Sequence, residues 1–348
     1  MKRFVSAGLL AAASVAPGAA PRAETLNLLI WEEYISDKVL ARWTEETGVE
    51  VRQIFFDNGE DRDRLIADPN VDLDLAILNE NISGLYSRNG MLVEVSEENV
   101  PSAGNSVERW RERCFGYGIP YFWGTLGIVY RADKFATPPT SWTDILDPAP
   151  EMSGHIAMLS TYDDIFTPPL ILAGKSASTE NEVELKDAFA TLKAQIPFVR
   201  SYDYIVTSIQ DPSMSDELYM GLAYSGDQFI LDNITPYTWK YALPEEGSVL
   251  WVDCLSAIAH SPRRDLAIRF LNFINQPDVA ALNASDLSTS SANAAAIALL
   301  PPEMRADPEI YPPEETIAAS QFYNEYSAPV IQLRKRAMSA LLSIHDSR

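Results

Sequence analysis

Three short stretches set aromatic rings beside carboxylates near the ends of apolar runs. "LIWEEYI" holds Trp31 and Tyr34, "LAYSGDQF" holds Tyr224 and Asp227, and "LWVDC" holds Trp251 and Asp253. Rings beside acids suit the capture of a cation. A carboxylate to ammonium bond contributes roughly 1.5 to 3 kcal/mol, and an aromatic face roughly 0.5 to 2 by cation–π contact. Asp253 is the most pointed case, because it interrupts the otherwise apolar run "SVLWVDCLSAIAH" at 248–260. In a strand, Val249, Trp251, Asp253, Leu255 and Ala257 share one face, so Trp251 and Asp253 point the same way. A buried carboxylate without a partner costs several kcal/mol. Asp253 therefore lies at a wet strand end, is paired with a cation, or awaits one. Any one of these rings alone is ordinary core material. Their recurrence with acids at the carboxyl ends of strands, where open α/β sheets bind ligands, marks a binding site.

Other chemistries find little support. His155, His260 and His345 are scattered without ligand spacing, so no metal site is expected. There is no nucleophile elbow, phosphate loop or dinucleotide fingerprint, and no cofactor is expected. A glycosidase-like carboxylate pair stays open, because such acids need only meet in space. Cys114 and Cys254 are the only cysteines. In an oxidising compartment they either form one disulfide or remain two buried thiols.

With 348 residues the chain exceeds what one core usually supports, so two domains are expected. "MKRFVSAGLLAAASVAPGAAPRAETLN" opens with Lys2 and Arg3, continues apolar from Phe4 to Ala16 and reaches small residues. That is the layout of a secretory signal peptide over residues 1–23, with an apolar run too short to span a bilayer. The mature protein is expected to be soluble and exported. The formal charge is −22, and removal of Lys2, Arg3 and Arg22 with no acid takes it to −25. Such a chain repels nucleic acid and anionic membranes and attracts cations, although an acidic excess also suits an ordinary solvated surface.

The elements that must position these residues alternate. "TLNLLIW" at 25–31 reads as a buried strand, and Ser36 is placed to cap a helix "DKVLARWTEETG" ending at Gly48. "VEVRQIFF", the helical "EDRDRLIAD" and "VDLDLAIL" follow, giving the strand and helix alternation of an α/β sheet. The pattern resumes after "YGIPYFWGTLGIVYRAD", with helices expected at 182–195 and 264–275 and strands in "GHIAML", "ELYMGLAYS" and "VLWVDCLSAIA". Two α/β lobes result, without a low-complexity linker or an internal repeat.

From Leu26 to Leu342 the chain resembles the periplasmic polyamine-binding proteins, the spermidine/putrescine type of extracellular solute-binding protein that serves an ABC importer. The resemblance rests on "IWEEY", "ETGVEV", "DLDLAIL", "GIPYFWGTLGIVY", "SWTDIL", "LAYSGD", "PEEGSVLWVDCLSA", "FLNFINQPDVA" and "LLPPE" in the family's order. It implies a two-lobed α/β periplasmic binding protein fold, each lobe a mixed β-sheet flanked by helices. Two crossing strands form the hinge, near Tyr121 to Gly127 and near Trp251 to Asp253. Lobe 1 is then 24–122 plus 254–297, and lobe 2 is 123–253 plus 298–348. Cys254 adjoins Asp253 and Cys114 leads into the other crossing strand, so a bridge between them is the expectation.

Carried over residue by residue, the resemblance implies that Trp31 and Tyr34 line the first lobe's side and that Trp251 and Tyr224 flank the ligand's methylenes. Asp253 and Asp227 take ammonium groups, and Asp164 of "STYDDIF" falls where the family has an acid for the other amine. Asn79 and Asn81 stand where the family tends to offer a small hydroxyl residue and an aromatic, and Thr289 and Tyr323 replace other pocket residues. Thr161 stands where spermidine binders often carry an acid, which leaves less to hold a third amine and favours a diamine of putrescine size. The implied function is capture of a small cationic amine by a monomer without catalysis, with delivery to an inner-membrane ABC permease. A different amine-containing polar solute is the alternative, and a carboxylate-pair hydrolase a more distant one.

Overall fold

The computed structural model describes residues 24–56 and 59–348. The expected signal peptide at 1–23 lies outside the described residues. Ten strands are joined into one continuous hydrogen-bonded network: β1 (Thr25–Ile30), β2 (Glu50–Phe55), β3 (Leu75–Asn79), β4 (Ile119–Arg131), β5 (Ile156–Ala157), β6 (Val199–Ser201), β7 (Met220–Tyr224), β8 (Trp239–Ala242), β9 (Val249–Ala257) and β10 (Gln321–Phe322). Their order is β2-β1-β3-β9-β4-β7-β5-β6, with β10 beside β9 and β8 beside β4.

The first helix forms where the sequence signals place it. In α1 (Asp37–Thr47) the Ser36 side chain accepts from the Lys38 N–H. Gly48 closes the helix at φ 72°, a left-handed conformation in which a residue with a Cβ would be strained. Val39 and Trp43 turn inward, and Trp43 meets Phe270 edge-on at 5.1 Å. The helix α2 (Gly59–Ala67) and the parallel pairs of β1 with β2 and β3 complete the expected alternation. The helices Glu182–Gln195 and Arg264–Ile274 also fall within a residue of expectation. "GHIAML" yields only the two-residue β5, because the chain leaves the sheet after Ala157.

Two strands matter most for the site. The start of β4 pairs with β9, whereas its later residues from Leu126 pair with β7 and β8. The end of β9 pairs with β3, whereas its start pairs with β10. Each strand thus passes from one half of the sheet to the other, as the two expected crossings require. Between Pro120 and Trp123 the register slips against β9, a β-bulge that bends the strand at the crossing. The apolar core divides in the same way. One large cluster holds Leu28, Trp43, Leu255 and Phe270, and another holds Ile128, Trp142, Phe166 and Leu222. Trp110, Trp123, Leu250 and Val252 form a small cluster at the crossing. Leu300, Met304 and Ile310 sit in the first large cluster.

Cys114 and Cys254 are bridged across 140 residues, which resolves the two readings of the cysteines in favour of the disulfide. The bridge ties the segment leading into β4 to the residue next to Asp253. Thiol titration of the denatured, unreduced protein should therefore find no reactive thiol. Replacing both cysteines by serine should lower unfolding stability by about 2 to 4 kcal/mol in urea denaturation. Two titratable thiols, or an unchanged denaturation midpoint, would refute the bridge or its structural weight.

Candidate functional site

Asp253 sits on β9 opposite Asn79 of β3, two residues after Trp251, which faces Gly124 of β4. A Cβ at Gly124 would come within 2.5 Å of the Trp251 ring, so only glycine leaves room for the indole at this crossing. The Tyr34 hydroxyl donates to Asp253 Oδ2 at 2.9 Å. Tyr34 is itself held from behind. The Tyr121 hydroxyl donates to the Tyr34 carbonyl at 2.9 Å and accepts from Asn283 Nδ2 at 2.7 Å, while Phe122 meets the Tyr34 ring edge-on at 5.2 Å.

The other half of the molecule supplies a second set. Asp164 begins a short 3-10 turn and accepts hydroxyl bonds from Tyr224 at 2.7 Å, Tyr323 at 2.8 Å and Thr161 at 2.5 Å. Asp227 begins the helix Asp227–Ile234 and accepts from the Tyr224 N–H at 2.8 Å and from the Tyr204 hydroxyl. The two sets meet through their rings, since Trp251 and Tyr224 lie edge to face at 6.3 Å. The structure thus brings together Tyr34, Thr161, Asp164, Tyr224, Asp227, Trp251 and Asp253.

The remaining candidates are not joined to this constellation by side-chain hydrogen bonds among the described residues. Trp31 stacks obliquely on Phe56 at 4.2 Å. Asn79 is exposed and uses its Oδ1 to cap the helix α3 (Glu80–Arg88) by accepting from the Ile82 N–H. Asn81 is a partly buried residue of α3, and Thr289 lies in the turn after the helix Pro277–Asp286, its N–H on the Ala284 carbonyl. Sequence reasoning passed over Glu80, Asp163 and Tyr204 as site residues. Glu80 lies between two residues it singled out, and "SYDYIV" around Tyr204 repeats the pairing of ring and acid.

What sets these acids apart is the lack of a protein cation. Asp74 shows how this fold buries a structural carboxylate. It is fully buried and takes two bonds from Arg263 Nε, one from Ser261 and one from the Asn27 N–H. Asp253, Asp227, Asp164 and Glu80 are 9%, 5%, 7% and 3% exposed, yet none forms an ion pair among the described residues. Burial pushes Asp253 up to about 6, against the Tyr34 hydroxyl bond and the more distant Arg62. Burial likewise pushes Asp227 up to about 6, against the bonds from Tyr204 and the Tyr224 N–H. Glu80 rises to about 7 through burial, with the charge of Asp253 adding to it. Tyr34, Tyr204, Tyr224 and Tyr323 are held well above the usual phenol range by burial and by the acids beside them, so they remain donors. The site gathers buried acids and aromatic rings from both halves, and among the described residues these acids form no ion pair.

A fold of two α/β halves linked by crossing strands, with its polar site where they meet, defines a solute-binding protein. The chain belongs to the bacterial extracellular solute-binding protein family, whose description it matches over residues 38–312. It is 32% identical to the norspermidine sensor of Vibrio cholerae, with 93% of this chain and 90% of that protein covered. It is 28% identical to the spermidine/putrescine-binding periplasmic protein of Escherichia coli, over 94% of this chain and 95% of the relative. In fold it matches the spermidine/putrescine ABC transporter substrate-binding protein PotD of Streptococcus pneumoniae with a TM-score of 0.81. That likeness covers 93% of this chain and all of the other at 24% identity. The resemblance read from the motifs is borne out. No helix of the described residues is long and apolar enough to cross a membrane.

The raised acids set a pH dependence of known sign. Asp253, Asp227 and Glu80 hold protons more tightly in the folded protein than the ordinary carboxyl value of about 4 allows. Between that value and 6 to 7 the folded state therefore binds more protons than the unfolded state, and stability falls as pH rises. Urea denaturation of the ligand-free protein should show higher stability at pH 5 than at pH 8, and Asp253→Asn should flatten the difference. A stability that rises across this window and is unmoved by the substitution would contradict the assignment.

Proposed function

We propose that the protein captures a small cationic amine, a putrescine-like diamine or a polyamine, in the cleft between its two halves. The observation that carries this reading is the set of buried acids without a protein cation, contributed from both sides of the cleft and walled by Trp251 and Tyr224. In it, Asp253 with Tyr34 holds one ammonium group, and Asp164 or Asp227 holds the second. The rings cover the methylenes between them and exclude water, which strengthens each charge-assisted bond. The names of the transport relatives support delivery of the loaded protein to an inner-membrane ABC permease, with no catalytic step, and the protein is proposed to act as a monomer. The leader-like residues 1–23 support export to the periplasm.

The lobes are proposed as 24–122 plus 254–297 and 123–253 plus 298–348, with one adjustment. Since Leu300, Met304 and Ile310 sit in the first core, the last return to the second lobe is placed after Tyr311. Ligand contacts both lobes only when they meet, so binding favours the closed form.

One observation favours a second reading. The Trp251 indole N–H is buried without a hydrogen-bond partner, and it suits a ligand that also carries an acceptor such as a hydroxyl or amide oxygen. Calorimetry separates the two. Putrescine should bind the wild type, and Asp253→Asn should weaken it by roughly 2 to 5 kcal/mol, the cost of breaking a desolvated charge pair. An unchanged affinity in the variant would remove Asp253 from the site. Failure of putrescine, beside tight binding of an amine bearing a hydroxyl or amide, would establish the second reading.

A further inference from the structure

Tyr34 stands in a turn that its own backbone does not favour. The segment between β1 and α1 holds Glu33 at φ 55°, a left-handed conformation that strains a residue with a Cβ. Such a turn keeps its shape only where its neighbours fix it. One buried side chain does so here at two points. Asn283, on the helix Pro277–Asp286 and 1% exposed, accepts through Oδ1 from the Ser36 N–H at 2.9 Å. Its Nδ2 donates at 2.7 Å to the Tyr121 hydroxyl, which donates in turn to the Tyr34 carbonyl at 2.9 Å.

The direction of this chain is set by what each group has left to offer. With Oδ1 on Ser36, Asn283 turns its amide N–H to Tyr121, and the Tyr121 hydroxyl, accepting there, has its single proton free for Tyr34. At the far end the Tyr34 hydroxyl donates to Asp253 Oδ2 at 2.9 Å. Neither Asn283 nor Tyr121 hydrogen-bonds to Asp253 among the described residues, so their bonds reach that acid only by way of Tyr34.

We propose that Asn283 and Tyr121 are positioning residues for amine capture, which preset the Tyr34 hydroxyl on Asp253 so that the first ammonium station is formed before the ligand arrives. The proposal rests on the cationic-amine reading above. A hydroxyl whose proton is held by Asp253 offers the ligand only its lone pairs, which is what an ammonium N–H requires. Were the turn free, binding would have to order it, and that cost would be subtracted from the affinity.

Calorimetry with putrescine on single and double variants tests this. Tyr121→Phe keeps the ring and removes the link, and it should weaken putrescine about threefold to tenfold, the weight of one hydrogen bond. Asn283→Asp keeps the acceptor for Ser36 but offers the Tyr121 hydroxyl a carboxylate, a stronger acceptor than the Tyr34 carbonyl, and should weaken binding by a similar factor. In a Tyr34→Phe background no hydroxyl remains to be positioned, so adding Tyr121→Phe should change the affinity by less than about twofold. A merely structural role would leave the losses additive. Equal losses from Tyr121→Phe in both backgrounds, or none in the wild-type background, would overturn the proposal, and Tyr121→Phe carries the test alone if Asn283→Asp fails to fold. Equal putrescine binding by the wild type and Tyr34→Phe, or no binding by the wild type, would remove the first station itself and the proposal with it, an outcome distinct from the others.

Discussion

A buried carboxylate without a cation is the costliest group a fold can carry, and this fold gathers several where its two crossing strands meet. Asp74 shows that the chain can pair a buried acid when the acid is structural, since Arg263 and Ser261 satisfy it completely. Among the described residues, Asp253, Glu80, Asp164 and Asp227 are served only by tyrosine or threonine hydroxyls and backbone N–H groups. Such donors hold a carboxylate in place without cancelling its charge. In the proposed reading, a cationic solute meets the remaining demand for positive charge and brings in free energy that the empty protein lacks.

The framework follows from that demand. The acids come from both halves, so they converge only if β4 and β9 carry the chain across with fixed register. The bulge at Pro120 to Trp123 bends one strand, Gly124 admits the Trp251 ring, and the disulfide anchors Cys254 beside Asp253. Behind the site, Asn283, Tyr121 and the Tyr34 carbonyl form a relay that fixes the Tyr34 hydroxyl on its acid.

Much of this was legible in the sequence, for identifiable reasons. Alternation along "LWVDC" put Trp251 and Asp253 on one face, and the structure has Asp253 turned to the Tyr34 hydroxyl and Cys254 to its disulfide. Ser36 and Gly48 marked the ends of α1 because capping chemistry is local. The motif resemblance reached Asp164 and Tyr224, which lie far apart in sequence and share a bond at 2.7 Å. Glu80 and Asp163 were hidden, because nothing local distinguishes an acid whose carboxylate ends buried from one on a solvated face. Asn79 also has a second duty that the motifs do not reveal. A residue that ends a strand also begins the next helix, and its Oδ1 is taken by the Ile82 N–H.

In the proposed reading, a ligand cation replaces protons on buried acids whose affinity for protons is raised by burial. Calorimetry of putrescine or spermidine binding at pH 6.5, repeated in buffers of different ionisation enthalpy, measures that exchange directly. Since Asp253 and Asp227 lie at about 6 and Glu80 at about 7, binding should release protons to the buffer, and the observed heat should vary linearly with ionisation enthalpy. Tight binding with a heat independent of the buffer would show that the acids are not where the cation goes.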